Sequence, residues 1–459
     1  MKLHIIGICG TFMGGVARLA KESGHQVSGS DANAYPPMST QLESLGVDLM
    51  EGYRAENIAA DVDLVVVGNS ISRGNPELES VLNKGLAYTS GAQWLSEHIL
   101  ANRWVVAIAG THGKTTTSAM VAWILEHCGY EPGFLIGGVP ANFGESARLG
   151  NSDFFVIEAD EYDTSFADKR SKFIHYRPRT LVLNNLEFDH ADIFANIGEI
   201  QKQFHHLVRT LPSTGLIIHN SHSAYLDETL EMGCWSEQQS FAANDNSDWS
   251  VRSHNPECSE FSVSFDGKEA TVQWSLIGQH NMLNGLAAIA ASHHVGVELQ
   301  HAVEALGQFK SVKRRLETIY SDAHTIVYDD FAHHPTAIKG TIDALRAKVG
   351  TQRIIAVLEP RSNTMKQGVH KHLLADSLSG ADTTYLYADA KVQWSIDELT
   401  GESTAVFSDT NALLDHLLDH ALKPNNLNAK PTHILIMSNG GFEGLHLKLV
   451  NQLTSRKIT

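Results

Sequence analysis

Short apolar runs recur along the chain, and between them apolar residues return every three to four positions. This alternation of strand and helix signals predicts an α/β fold. Near the start, residues 3–8 predict a strand, 16–23 a helix and 26–29 the opening of a second strand. Strand patterns follow at 64–68 and around Ala87-Tyr88. Trp104-Val105-Val106-Ala107-Ile108 suits a buried strand, and residues 118–127 behind it carry helical spacing up to a stop at Gly129. Residues 153–158, 180–186 and 216–219 predict strands, 200–211 a helix, and 261–265 with 270–276 a hairpin turning at Asp266-Gly267. The stretch 240–258 is polar and rich in Asn and Ser, and reads as a loop or irregular edge; a helix over 285–294 follows. Beyond Lys313-Arg314-Arg315, strands at 325–328, 354–358, 383–387, 405–407 and 434–437 alternate with helices, one of them opened by Pro335.

The join between strand 104–108 and its helix carries Gly110-Thr111-His112-Gly113-Lys114-Thr115-Thr116. A glycine turn between strand and helix, followed by Gly-Lys-Thr, is a P-loop. Backbone N–H groups at the helix start point at phosphate oxygens, Lys114 neutralises the β- and γ-phosphates, and the Thr115 hydroxyl suits Mg²⁺. The strict pattern has a glycine where Ile108 stands, but the remaining core in this context predicts ATP or GTP binding. The chain therefore divides into a Rossmann-like domain over 1–103, a central P-loop ATPase α/β domain over 104–312 and a Rossmann-like domain over 313–459.

Two carboxylate clusters follow buried strands of the central unit. The first is Glu158 with Ala159-Asp160-Glu161-Tyr162-Asp163, in which Glu158 closes the strand and is the best-placed Mg²⁺ ligand. The second, Glu187-Phe188-Asp189-His190-Ala191-Asp192, suggests a second metal position near the phosphates. Asn281 and Asn284, three apart, share a helix face. In the first unit Gly7, Gly10 and Gly14, with Asp31 after the second strand, approximate a dinucleotide fingerprint. A nicotinamide domain, a nucleotide-sugar domain and a structural turn all remain open for it.

Composition narrows the class. At 459 residues the chain exceeds one core, so two to four domains are expected. It has no apolar run of about 18 residues, so no membrane span is expected. Its start runs straight into a strand and a glycine turn, and its four cysteines are scattered; both features predict a cytoplasmic protein. A net charge of −17 opposes nonspecific nucleic-acid binding.

Taken together, these motifs resemble the Mur ligases, ATP-dependent amide-forming enzymes of bacterial cell-wall synthesis, over essentially the whole chain. The anchors are the P-loop, Glu158, Asp189-His190, His280-Asn281 with Asn284, Lys313-Arg314-Arg315, and Asp329-Asp330 with His333-His334-Pro335. Gly7 to Gly15 and Ser28-Gly29-Ser30-Asp31 resemble the subgroup that binds UDP-N-acetylmuramate. One branch of that subgroup adds L-alanine, in de novo synthesis; the other adds the recycled tripeptide L-alanyl-γ-D-glutamyl-meso-diaminopimelate. Gly10-Thr11-Phe12-Met13-Gly14-Gly15, Tyr35-Pro36-Pro37-Met38-Ser39-Thr40, Asp168-Lys169-Arg170-Ser171-Lys172-Phe173, Glu359-Pro360-Arg361-Ser362-Asn363-Thr364-Met365-Lys366 and Ser438-Asn439-Gly440-Gly441-Phe442 resemble the tripeptide branch. The alanine branch has aromatic-Gln-Pro-His-Arg around 359–365.

The resemblance implies that the lactyl carboxylate takes the γ-phosphoryl group of ATP, and that the peptide amine then displaces phosphate from the acyl phosphate. It implies Gly110, Thr111, His112, Gly113, Lys114, Thr115 and Thr116 around the phosphates, and Arg315 reaching the γ-phosphate from the third domain. It implies Asn281 and Asn284 near the adenine and Asp330 on the ribose. One Mg²⁺ falls to Thr115 and Glu158, a second to His190, and the amino-acceptor side to His333. Gly10, Thr11, Met13, Gly14 and Asp31 fall to UDP-N-acetylmuramate, and Arg361 and Asn363, near Lys366, to the peptide. Many Mur ligases carry a carbamylated lysine; Lys202 is not at that spacing and is expected to be unmodified. A monomer without nucleic-acid or membrane partners is expected. A nicotinamide oxidoreductase leaves the P-loop unexplained, and a P-loop switch explains the middle unit alone.

Overall fold

The computed structural model describes residues 1–34, 38–243, 246–401, 403–421 and 431–456. Tyr35, Pro36 and Pro37 of the motif above therefore lie outside the described residues. Three sheets divide the chain. The first orders β1 (Lys2–Ile6), β2 (Gln26–Asp31), β3 (Asp48–Glu51), β4 (Leu64–Val67) and β5 (Tyr88–Ser90) as β3-β2-β1-β4-β5, all parallel. The order reverses at β1, which opens a crevice over its C-terminal end, where such sheets bind ligands.

The central sheet has ten strands: β6 (Trp104–Ala109), β7 (Gly133–Leu135), β8 (Ala147–Arg148), β9 (Phe154–Glu158), β10 (Thr180–Leu183), β11 (Leu216–Asn220), β12 (Glu237–Ala242), β13 (Trp249–Ser253), β14 (Glu260–Phe265) and β15 (Lys268–Gln273). Their order is β15-β14-β13-β12-β11-β10-β6-β9-β7-β8. Strands β6, β9 and β10 are apolar runs because a parallel sheet covered on both faces buries every residue. The third sheet orders β16 (Glu317–Ser321), β17 (Thr325–Asp330), β18 (Ile354–Leu358), β19 (Thr383–Tyr387), β20 (Thr404–Phe407) and β21 (Thr432–Met437) as β16-β17-β21-β18-β19-β20.

The sequence reading needs correction at the edges. The stretch 240–258 contains the end of β12 and all of β13, with residues 244 and 245 outside the described residues. Phe241, Trp249 and Val251 are buried while Ser250 and Arg252 face outward, so a half-exposed strand hides its apolar face among polar residues. Strands β3 and β16, both on sheet edges, carried no apolar run to reveal them. The helices predicted over 16–23, 118–127 and 285–294 begin earlier, as Thr11–Glu22, Lys114–His127 and Gln279–Val295, because glycine loops lead straight into their first turns.

The two domain junctions differ in kind. The first sheet and one face of the central sheet share a continuous apolar core, from Val16, Leu19 and Trp94 through Leu135, Ala147 and Phe155. Gly15 lets helix Thr11–Glu22 lie against β7, since a Cβ there would overlap Leu135. Arg18 adds an ion pair to Glu145. The third domain has its own apolar clusters and meets the central domain through polar side chains. Among the described residues, no helix is long and apolar enough to cross a membrane.

Candidate active site

Sheet register assembles the phosphate end of the site. Ile108 of β6 pairs with Glu158 of β9, and Ala109 with Leu183 of β10, so three adjacent strands finish side by side. They deliver the P-loop, Glu158 and Asn184-Asn185 to one edge. Gly113, at φ +82°, heads helix Lys114–His127; a Cβ there would overlap the Asn284 side chain. Asn284 is buried and its Oδ1 accepts from Asn184 Nδ2 at 2.9 Å. That bond makes it a strut beneath the phosphate loop. The Asn185 Oδ1 accepts the His112 N–H at 2.7 Å, and the Thr111 hydroxyl accepts the Glu187 N–H at 2.8 Å. Gly110 contributes its carbonyl to Lys114, and Thr116 is buried in the helix.

Charge concentrates behind this edge. Lys114 Nζ donates to Gly110 O at 2.7 Å and to Glu161 Oε2 at 2.8 Å, and Glu161 Oε1 lies 2.9 Å from His190 Nε2. Burial pulls Lys114 down, but Glu161, Asp160 and Glu158 outweigh it and hold the ammonium above its ordinary pKa. Burial pushes Glu161 up, and Lys114 and His190 more than reverse that. Burial likewise lowers His190 before its Glu161 partner raises it overall. Glu161 was visible only as one acid in a run of acids; the turn after β9 decides that it faces inward. Lys172, quoted above only as part of the stretch 168–173, had no role assigned from the sequence. It is buried, 2.9 Å from Asp160 Oδ2, with its ammonium 5.3 Å from the Phe12 ring of the first glycine turn.

Glu158 differs from Glu161. Its oxygens accept neutral donors, the Thr115 hydroxyl at 3.0 Å and the Gly137 N–H at 2.7 Å, and burial raises its pKa despite Lys114. A desolvated carboxylate beside a threonine hydroxyl at a phosphate loop fits Mg²⁺, which prefers one or two carboxylates plus substrate phosphates. Arg315 arrives from the third domain, its Nη2 3.3 Å from Thr115 Oγ1.

Two cavities open where the third domain meets the central one. One, of about 240 Å³, is lined by Asn281, Lys313, Arg315, Tyr328 and Lys348. The other, of about 210 Å³, is lined by Tyr162, Asp189, His190, His333, Arg361, Asn363 and Asn439. His333 Nδ1 faces Phe331 O at 2.9 Å, so that nitrogen carries the proton and Nε2 keeps a lone pair. Burial holds the ring down to a pKa of about 4, hence neutral. Asn363 Nδ2 donates to Asp192 Oδ2 at 2.9 Å across the domain junction.

The structure places further expected residues as follows. Both Asp330 oxygens accept backbone N–H groups: Oδ2 that of Leu316 at 2.7 Å and Oδ1 that of Ala332 at 2.8 Å. Asp330 anchors the linker, where Arg314 and Leu316 both hold positive φ. Met13 and Gly14 are buried because they lie on the sheet-facing side of helix Thr11–Glu22, which leaves Gly10 and Thr11 exposed at its start. Asp31 Oδ2 accepts Cys9 N–H at 2.9 Å and braces the glycine turn. Lys202 is exposed on helix Ile197–Val208.

A P-loop flanked by buried carboxylates, with an arginine reaching over it from a separate α/β domain, defines an ATP-dependent ligase of the class that forms amide bonds. Residues 2–103 match the Mur ligase family catalytic domain, 108–292 the Mur ligase middle domain and 314–440 the Mur ligase glutamate ligase domain. The chain belongs to the Mur ligase family. It is 55% identical over 459 residues, 99% of each chain, to UDP-N-acetylmuramate–L-alanyl-γ-D-glutamyl-meso-2,6-diaminoheptandioate ligase of Escherichia coli (strain K12). A solved murein peptide ligase from Psychrobacter arcticus 273-4 superimposes with a TM-score of 0.76 at 46% identity, covering 99% of this chain and 98% of that one. UDP-N-acetylmuramate–L-alanine ligase of Syntrophomonas wolfei is 33% identical over 386 residues, 83% of this chain and 80% of its own.

Proposed function

We propose that this ligase joins L-alanyl-γ-D-glutamyl-meso-diaminopimelate to UDP-N-acetylmuramate, in the recycling of peptidoglycan. The observation that carries the reading is end-to-end identity of 55% with a tripeptide ligase, against 33% over a shorter span with an alanine ligase. The arginine-bearing cavity between His190 and Arg361 supports it, because a peptide with free carboxylates calls for a cation at that wall. The domain limits at 103/104 and 312/313, a cytoplasmic location and a monomer belong to the same proposal.

In this reading UDP-N-acetylmuramate lies across the first crevice, at Gly10 and Thr11, with Lys172 between that turn and the phosphate loop. The lactyl carboxylate attacks the γ-phosphorus of ATP, giving an acyl phosphate and ADP. Both reactants are anions, so the barrier is largely electrostatic. Lys114 and Arg315 supply fixed positive charge, while Asn281 lines the nucleotide cavity. Bound Mg²⁺, held by Thr115 and Glu158 with His190 toward a second ion, would add charge neutralisation at the phosphates. The peptide amine then attacks the acyl carbon, its proton passes to His333 Nε2, and phosphate departs.

Phosphate release is the test, with ATP, Mg²⁺ and UDP-N-acetylmuramate and either the tripeptide or L-alanine as acceptor. Release with the tripeptide, and a product of matching mass, is expected. Release with L-alanine alone overturns the assignment in favour of the alanine-adding activity.

A further inference from the structure

The chemistry above leaves a second set of metal-binding side chains unused. His112 of the phosphate loop, Glu187 after β10 and His334 at the head of helix Pro335–Val349 each offer one ligand atom, all within 4.8 Å of one another. Glu187 Oε2 lies 3.2 Å from His112 Nε2 and 3.4 Å from His334 Nδ1, and it accepts the Thr336 hydroxyl at 2.7 Å. Two of these ligands sit on the central domain and one on the third.

Hydrogen bonds satisfy His112 Nε2 and Glu187 Oε2 between them but leave His334 in conflict. His334 Nδ1 accepts the Thr336 N–H at 3.4 Å as a helix cap, so it presents a lone pair. The same lone pair then confronts a carboxylate oxygen. Placing the proton on Nδ1 instead sets it against the Thr336 N–H, since a neutral imidazole has one N–H to share. The other nitrogen, Nε2, is buried without a hydrogen-bond partner, in a side chain only 4% exposed. A cation among the three ligand atoms would take the Nδ1 lone pair in place of the long Thr336 N–H contact and would neutralise the carboxylate that faces it.

We propose that His112, Glu187 and His334 bind one divalent transition ion of the zinc class, which clasps the third domain onto the central domain. Two imidazoles and one carboxylate suit such an ion and leave a position open. Mg²⁺ favours oxygen ligands, which this set of two imidazoles and one carboxylate supplies only once. Because the ligands span the domain junction, the ion binds the closed arrangement more tightly than the open one and shifts the population toward it. The clasp goes beyond the substrate assignment and does not depend on it.

Titration of the whole protein with Co²⁺ in excess Mg²⁺, without nucleotide, tests the site through visible d–d absorption, and equilibrium dialysis with Zn²⁺ counts the ions. One equivalent is expected. His334→Asn keeps a helix-capping oxygen, and Glu187→Gln keeps the shape of its side chain. Loss of an outer partner alone costs roughly 10–100-fold in metal affinity, so loss of either ligand should cost about 100-fold or more. Glu158→Gln should leave binding unchanged. Wild-type affinity in both ligand variants, whose folding a thermal melt checks, overturns the proposal by assigning the ion to other histidines. Loss of binding in Glu158→Gln alone overturns it in favour of the phosphate-loop carboxylates. Neither failure touches the tripeptide assignment, because no substrate is present.

Discussion

His333 acquires its chemistry from its surroundings. A carbonyl holds one nitrogen as a donor, and burial holds the ring near a pKa of 4, so the free nitrogen is a base at neutral pH. The same shift is a stability statement. The unfolded ring titrates near about 6.5, so between that value and about 4 the unfolded chain binds more protons than the folded one. Stability contributed by the neutral ring is therefore present above pH of about 6.5, lost as pH falls toward 4, and constant below. Burial acts alike on His334, which is held to about 3. Melting temperatures measured from pH 7 to pH 4 should fall for the wild type and fall less steeply for His333→Gln. Parallel curves would refute the buried neutral state.

At the scale of elements, the loop 187–192 after β10 links His190 to the third domain. His190 is held at φ +56°, and its N–H meets Asp189 Oδ1 at 2.7 Å. The same Asp189 oxygen accepts the Thr364 hydroxyl at 2.8 Å, and Thr364 in turn accepts the Ala191 N–H at 3.2 Å. Thr364 follows Arg361 and Asn363 in the wall of the acceptor cavity, so docking of that wall sets the backbone that carries His190. Thr364→Val keeps the volume and removes both bonds, each worth about 1 kcal/mol. Steady-state kinetics should show kcat lower by roughly tenfold and a higher Mg²⁺ requirement, with the KM for ATP unchanged. An unaltered Mg²⁺ dependence would show that the contact does not position His190.

Over the whole molecule, the contrast between junctions defines what can move. The first and central domains share an apolar core and act as one body, whereas the third is attached by polar contacts that water can replace. In the arrangement seen, that domain carries Arg315 to 3.3 Å from Thr115 Oγ1. Arg315→Ala should therefore resemble loss of an arginine finger, with kcat down by about 10³-fold or more and the KM for UDP-N-acetylmuramate little changed. A matching rise in that KM would place Arg315 on the wrong substrate.

The sequence by itself determined the three α/β units and the strand–turn–helix of the P-loop, and singled out Glu158 and His190, because apolar periodicity and short motifs are local properties of the chain. It also determined the family, since those motifs recur together over the whole length. Tertiary structure alone decided that Glu161 bridges Lys114 and His190, that Asn284 bonds to Asn184 beneath the loop, and that Asp330 anchors a linker. Residue type and spacing do not state which way a side chain turns, or which backbone amides reach it first. The grouping of His112, Glu187 and His334 is the extreme case: the three lie 222 positions apart from end to end (334 − 112) and become neighbours only when one domain closes on another.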